Sequence, residues 1–177
     1  MQDNGLASSA MLRIDLAAVR EGPVETAAQV AADDPLVERA GVALASPLVV
    51  TGRLSAAGEG QYYWQVRLVT VVKAECRRCL APVNVPLSQS LGLVFVAEED
   101  ARDDEDCYVV PRRAAVLDLS EAVREELILA VPQFVECRDD CRGLCPRCGA
   151  DLNAGPCGCQ PETDPRWAAL TKLRKGE

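Results

Sequence analysis

Apolar and polar residues alternate most clearly between Ser46 and Cys76, where β-branched and aromatic side chains dominate two runs separated by the turn-forming stretch AAGEGQ, residues 56–61. A period of two on either side of such a stretch predicts a β-hairpin. A third run, Ala81 to Ala97, keeps the β character, so Cys76 and Cys79 are placed at the turn between two strands. Residues 11–18, MLRIDLAA, alternate at their start and predict an edge strand. Residues 23–44 carry scattered acids and small side chains with weak periodicity, and read as a loop with room for a short helix.

The pattern turns helical from Asp118 to Pro132. Asp118 or Ser120 can cap, Leu119, Val123, Leu127 and Ala130 share one face, and Pro132 ends the run. A second helical signal lies at Thr163 to Leu173, where Thr163 or Asp164 caps, Pro165 takes the first helical position, and Trp167, Leu170 and Leu173 form a stripe predicted to dock on the main body. Together these elements predict an α+β protein with an antiparallel β-sheet core, one long covering helix, and a C-terminal Cys-rich zinc knuckle plus short helix. The predicted division is 1–135 for the sheet and helix core and 136–177 for the knuckle and docking helix.

Composition narrows the function. The chain has 177 residues and 49% hydrophobic content, enough for a core without covalent staples. Aromatic residues make up only 4%, so no base-stacking platform stands out in the sequence. A formal net charge of -8 opposes general affinity for phosphate backbones, which leaves nucleic-acid contact to a local basic patch or to a partner protein. The run Glu98 to Asp106 is strongly acidic and reads as a solvated loop. The first twenty residues include Asp3 and lack an unbroken apolar core, and no run approaches membrane-span length, so the expected setting is cytoplasmic with no membrane partner.

Nine cysteines and no histidine are the chemical signature. The absence of histidine removes His-dependent triads and HExxH zinc proteases, and restricts any tightly held zinc to thiolates, with or without a carboxylate. Eight cysteines fall into close pairs: Cys76 and Cys79, Cys137 and Cys141, Cys145 and Cys148, Cys157 and Cys159. In a reducing cytosol this pattern points to metal rather than disulfides. CPRCG at 145–149 has knuckle wording, because two thiolates two residues apart can grip one ion while turn N–H groups donate to the sulfurs and Gly149 supplies a positive φ. Its nearest partner pair is Cys157 and Cys159, which leaves Cys137 and Cys141 for Cys76 and Cys79. A single C-terminal site, or one ion shared by the four cysteines from 137 to 148, stays open, as do iron in place of zinc and thiol redox chemistry. Cys107 stands alone and reads as a small buried hydrophobe.

Arg77, Arg78, Arg138, Arg142 and Arg147 gather around these turns. They can offset the negative charge of a tetrathiolate site, and they can touch RNA phosphate. No nucleotide-binding or nucleophile motif stands in a setting that would support catalysis, so the expected protein is not an enzyme.

CRRCLAPV, a helix ending in proline, CRDDCRGLCPRCGADLNAGPCGC and DPRWAALTKL together resemble the YceD (DUF177) family over about Leu12 to Leu173. The resemblance implies a non-enzymatic ribosome-biogenesis factor supporting synthesis, processing or accumulation of 23S rRNA. It would act through rRNA or a large-subunit precursor, with a ribosomal protein or rRNA-processing factor as a further candidate partner. Some relatives place histidine among the later cysteines and some lack the 145–159 segment, which implies ligand exchange and an accessory second site. The rival expectations are a rubredoxin-like electron carrier and a zinc adaptor without direct RNA contact.

Overall fold

The chain starts with a strand that stops early. The computed structural model describes residues 11–98, 107–111, 113–159 and 166. β1 (Arg13–Asp15) has three residues, and α1 (Leu16–Glu21) begins at once. The edge strand expected over 11–18 is thus cut short: the Asp15 carboxylate accepts the Ala17 N–H at 2.8 Å and caps the helix. Leu16 and Val19 then share a buried face at helical spacing.

The region 23–44 is more ordered than its weak periodicity suggests. β2 (Val24–Val30) is a full strand, followed by the anticipated short helix α2 (Pro35–Ala40), which is capped by Asp34 and closed by Gly41 at φ 67. The inward residues of β2 are Thr26, Ala28 and Val30, so two of the three lack the bulk that marks a strand in sequence.

β3 (Leu48–Gly58), β4 (Gln61–Glu75) and β5 (Pro82–Ala97) form the predicted meander, with β3 and β4 turning at Gly58 to Gln61. β6 (Tyr108–Val110) completes a five-stranded sheet in the order β2-β3-β4-β5-β6. All pairings are antiparallel except β5 with β6, which is parallel and stacks Phe95 on Tyr108 at 5.2 Å. β7 (Val116–Asp118) pairs with β1 in a separate two-stranded sheet and leads into α3 (Ser120–Ala130). Asp118 accepts the Ser120 N–H at 2.9 Å, and the chain is extended again at Val131, before Pro132.

At eleven residues, α3 is not the long covering helix of the sequence reading. Three short helices share that role. Leu16 and Val19 of α1, Leu36 and Val37 of α2, and Ala122, Val123 and Leu127 of α3 join the inward residues of the sheet in one buried apolar cluster. The acidic run at 99–106 and the expected docking helix at 163–173, apart from Arg166, lie outside the described residues. Among the described residues, no helix is long and apolar enough to cross a membrane.

Among the described residues Trp64 is the largest fully buried side chain, and its Nε1 donates to Thr26 Oγ1 at 2.9 Å across two strands. Gly52 lies on the intervening strand. A methyl group there would sit 2.5 Å from the Gln65 carbonyl oxygen and 2.8 Å from Trp64 Nε1. Gly52→Ala is therefore expected to cost about 1–3 kcal/mol through overpacking. Thr26→Val should cost a similar amount, about 1–3 kcal/mol, by stranding the buried indole N–H. Urea midpoints at unchanged slope would check both.

Candidate metal centres

β4 and β5 pair out to Glu75 and Pro82, so the six residues between them must reverse the chain. They do so in a knuckle: the Cys76 N–H donates to the Ala81 carbonyl at 2.8 Å and the Leu80 N–H to the Cys76 carbonyl at 2.9 Å. The same two bonds recur at 145–150. There the Cys145 N–H donates to the Ala150 carbonyl at 2.8 Å and the Gly149 N–H to the Cys145 carbonyl at 2.9 Å. Both turns need a positive φ at the residue after the second cysteine. Gly149 supplies it at 71°, whereas Leu80 adopts 60° and is the one non-glycine residue with positive φ among the described residues. A glycine-based reading of the sequence recognises only one of these twin knuckles.

The chain after α3 returns to the first knuckle. The Arg77 N–H donates to the Val135 carbonyl at 2.8 Å, the Leu144 N–H to the Arg78 carbonyl at 2.9 Å, and Arg78 Nη1 to the Cys141 carbonyl at 2.8 Å. Gly143, at φ 73, allows this approach, because a Cβ there would lie 2.9 Å from the Arg78 carbonyl oxygen.

These contacts gather the sulfurs of Cys76, Cys79, Cys137 and Cys141 within 4.8 Å of one another, and a second group holds Cys145, Cys148, Cys157 and Cys159 within the same limit. Cys76 Sγ lies 3.8 Å from Cys141 Sγ, and Cys79 Sγ lies 3.6 Å from Cys137 Sγ. A tetrahedral ion with Zn–S bonds of about 2.3 Å sets sulfur–sulfur edges of roughly 3.8 Å, so the donor geometry fits. Both four-cysteine groups could hold metal ions. None of the nine cysteines is in a disulfide, and Cys107, just before β6, belongs to neither group.

The electrostatics within each group are divided. Burial disfavours the Cys76 thiolate, but N–H groups of Cys79, Arg78 and Cys137 aimed at its sulfur lower its pKa to about 6. N–H groups of Cys148 and Arg147, with the Cys157 thiol, likewise lower Cys145 to about 6. Cys137 is pushed up to about 12, first by the adjacent Cys141 sulfur and then by burial, and Cys159 to about 12 by Cys148. Within each group, ionising one thiol disfavours ionising its neighbours, and a bound cation would relieve that repulsion.

Asn153 links the two groups and had no signal in the sequence beyond its position in the turn between Cys148 and Cys157. Its Oδ1 accepts the Arg142 N–H and Arg138 Nη2, both at 2.8 Å. Its Nδ2 donates to Asp151 Oδ1 at 2.7 Å and to Cys141 Sγ at 3.6 Å. It therefore orients a sulfur of the first group from within the second.

All five arginines singled out from the sequence are exposed. Arg77, Arg78 and Arg138 are among those also tied internally. Arg77 Nε donates to Glu136 at 2.8 Å and its guanidinium lies 5.5 Å from the Phe134 ring centroid. Arg78 bonds the Cys141 carbonyl and lies 3.4 Å from Glu136. Arg138 reaches Asn153 and lies 3.1 Å from Asp140.

Comparison with known proteins places this geometry. The family model described as large ribosomal RNA subunit accumulation protein YceD matches residues 64–174, more than half of the chain and all eight grouped cysteines. The chain belongs to the YceD family. The YceD match begins within β4 and includes both four-cysteine groups. An uncharacterized protein of Mycobacterium tuberculosis is 35% identical over 101 residues, 56% of this chain and 49% of the relative. The chloroplastic large ribosomal RNA subunit accumulation protein YCED homolog 1 of Arabidopsis thaliana is 29% identical over 106 residues, 53% of this chain and 33% of that protein. The uncharacterized protein YlbN of Bacillus subtilis is 28% identical over 133 residues, 73% of this chain and 76% of its own length. The chain spans about half the length of the mycobacterial relatives it matches. No solved structure matches it.

Asn153→Ala should weaken metal retention at the first group by about 10–100-fold, the usual effect of losing an outer-shell partner, without abolishing binding. Competition with a chromophoric chelator would show one ion leaving early and the other at the wild-type rate.

Proposed function

We propose that this YceD-family chain is a non-enzymatic, zinc-binding cytoplasmic factor that supports accumulation of the 23S rRNA, acting on the rRNA or a large-subunit precursor. The observation that carries this reading is the presence of two closed four-sulfur groups inside the residues matched by the family. Four thiolates leave no open position for water or substrate, so zinc there is structural. Cys76, Cys79, Cys137 and Cys141 would hold one ion, and Cys145, Cys148, Cys157 and Cys159 the other.

The exposed arginines Arg77, Arg78, Arg138, Arg142 and Arg147 are the proposed phosphate contacts on the knuckle side. Since Arg77, Arg78 and Arg138 among them also bind protein acceptors, their contribution is positioning as much as charge. A second reading, an adaptor reaching rRNA through a ribosomal protein or processing factor, is favoured by the net charge of -8.

Two measurements test the proposal. Elemental analysis of protein purified without chelator should give two zinc ions per chain, falling to one in Cys145→Ser combined with Cys148→Ser. Visible absorption from thiolate-bound iron would instead favour an electron carrier. In cells, depletion should lower 23S relative to 16S rRNA, with recovery on re-expression. An unchanged ratio would refute the role.

A further inference from the structure

Among the described residues, nothing covers the outer face of the five-stranded sheet, where Val49, Tyr63, Val69 and Val94 are exposed. On β4 the side chains of Tyr63, Gln65, Arg67, Val69 and Lys73 alternate outward, against inward Tyr62, Trp64, Val66 and Leu68. Tyr63 lies across Gly92 of β5: a methyl group there would sit 2.1 Å from the tyrosine hydroxyl and 2.8 Å from Cζ. The ring is thus held on the sheet over a residue with no side chain, and remains 36% exposed. It borders a shallow trough of about 420 Å³, where Thr51, Gln65, Arg67 and Ser90 supply hydrogen-bonding groups.

Charge gives this face its partner. Although the chain carries a net charge of -8, the outward positions of the strands hold Arg53, Arg67 and Lys73. The outward carboxylates lie at the margins: Glu25 on edge strand β2, 3.8 Å from Arg53, and Glu75 beside the first knuckle. Arg67 donates to Ser88 Oγ at 3.1 Å, which holds its guanidinium along the sheet. Stacking a second copy face to face would bury Arg67 with no carboxylate on this face beside it.

We infer that this sheet face binds an unpaired RNA segment, with a base stacked on Tyr63 above Gly92 and the neighbouring phosphates on Arg67, Arg53 and Lys73. This inference rests on the proposed role in rRNA accumulation and adds a recognition surface separate from the cysteine groups. An aromatic ring fixed on a rigid sheet accepts any base, whereas paired bases cannot reach it. The trough's polar groups meet the edges of the stacked base.

The test uses the full metal-loaded chain and fluorescence anisotropy with a labelled unpaired oligoribonucleotide of about twelve residues, within the usual site range, and a duplex of equal length. Unpaired RNA should bind more tightly than duplex. Tyr63→Ala should weaken it by about 5- to 150-fold, the equivalent of losing one stacked base, and Tyr63→Phe should restore binding to near wild type. Arg67→Gln should reduce the salt dependence by about 0.7 in log–log slope. Thermal midpoints of the variants establish that each is folded. Equal binding of duplex and unpaired RNA, or an unaffected Tyr63→Ala, would overturn the inference. Wild type that binds no RNA while cells still need it for 23S rRNA would also overturn it, and would leave the accumulation role intact through a protein intermediary.

Discussion

Four sulfurs within 4.8 Å of one another cannot all be thiolates unless a cation joins them, and the organisation of the chain beyond α3 depends on that constraint. The protein arranges the sulfurs without the ion's help in one respect. About sixty residues separate Cys79 from Cys137, and closing so long a loop by cross-link alone would cost roughly 4 kcal/mol of chain entropy. The hydrophobic core does most of that closing, because α3 is buried through Ala122, Val123 and Leu127 and ends at Ala130, seven residues before Cys137. Only a short segment remains to be fixed. The main-chain bonds from Arg77 to Val135 and from Leu144 to Arg78 align it, and an ion would lock it.

β4 and β5 carry this logic outward. Their fifteen-pair register runs from Gln61 opposite Val96 to Glu75 opposite Pro82, so the first knuckle is held at the tip of a long twisted ribbon. A one-residue slip would turn Trp64 and Leu68 to solvent and would also displace Cys76 from its partners. Core packing thus determines metal-site geometry. In the other direction, Asn153 makes the second group responsive to the first, since it touches Cys141 Sγ from the loop between Cys148 and Cys157.

What the sequence reveals here depends on how local each signal is. The β3-β4-β5 meander is readable because each strand alternates and each turn has its own chemistry. The position and end of α3 follow from Asp118 and Pro132. β2 is hidden because its inward Thr26 answers Trp64, a contact made across two strands, and its inward Ala28 lacks bulk. Spacing suggests the grouping of the eight cysteines without excluding a single C-terminal site or one ion shared by residues 137–148, and the sulfurs gather in the two groups. The twin nature of the knuckles does not follow, since Leu80 takes a conformation for which glycine is the usual sign. Nor does Asn153, whose role exists only once the two groups are adjacent. Parallel pairing of β6 with β5 is invisible for the same reason, because Tyr108 to Val110 is too short to declare a direction.

Charge distribution distinguishes the knuckle arginines, which must offset loaded thiolate groups as well as meet phosphate, from the cations of the sheet face. A divalent ion held by four thiolates leaves each group with a net double negative charge, so two loaded groups nearly match the five nearby arginines before Glu136, Asp139, Asp140 and Asp151 are considered. The knuckle region is therefore close to neutral or acidic when metal is bound, and Arg77, Arg78 and Arg138 are already turned toward protein oxygens. The sheet face carries less negative charge of its own: Arg67 bonds the uncharged Ser88, while the outward carboxylates lie at the rims, Glu25 beside Arg53 and Glu75 two residues from Lys73. Long-range repulsion from the remainder of the chain weakens within a Debye length of about 8 Å at physiological salt, so a local cationic strip can hold phosphate that the whole molecule repels. A polyanion would then meet the protein only where it can lie close along that strip, which suits a thin unpaired strand better than a broad duplex.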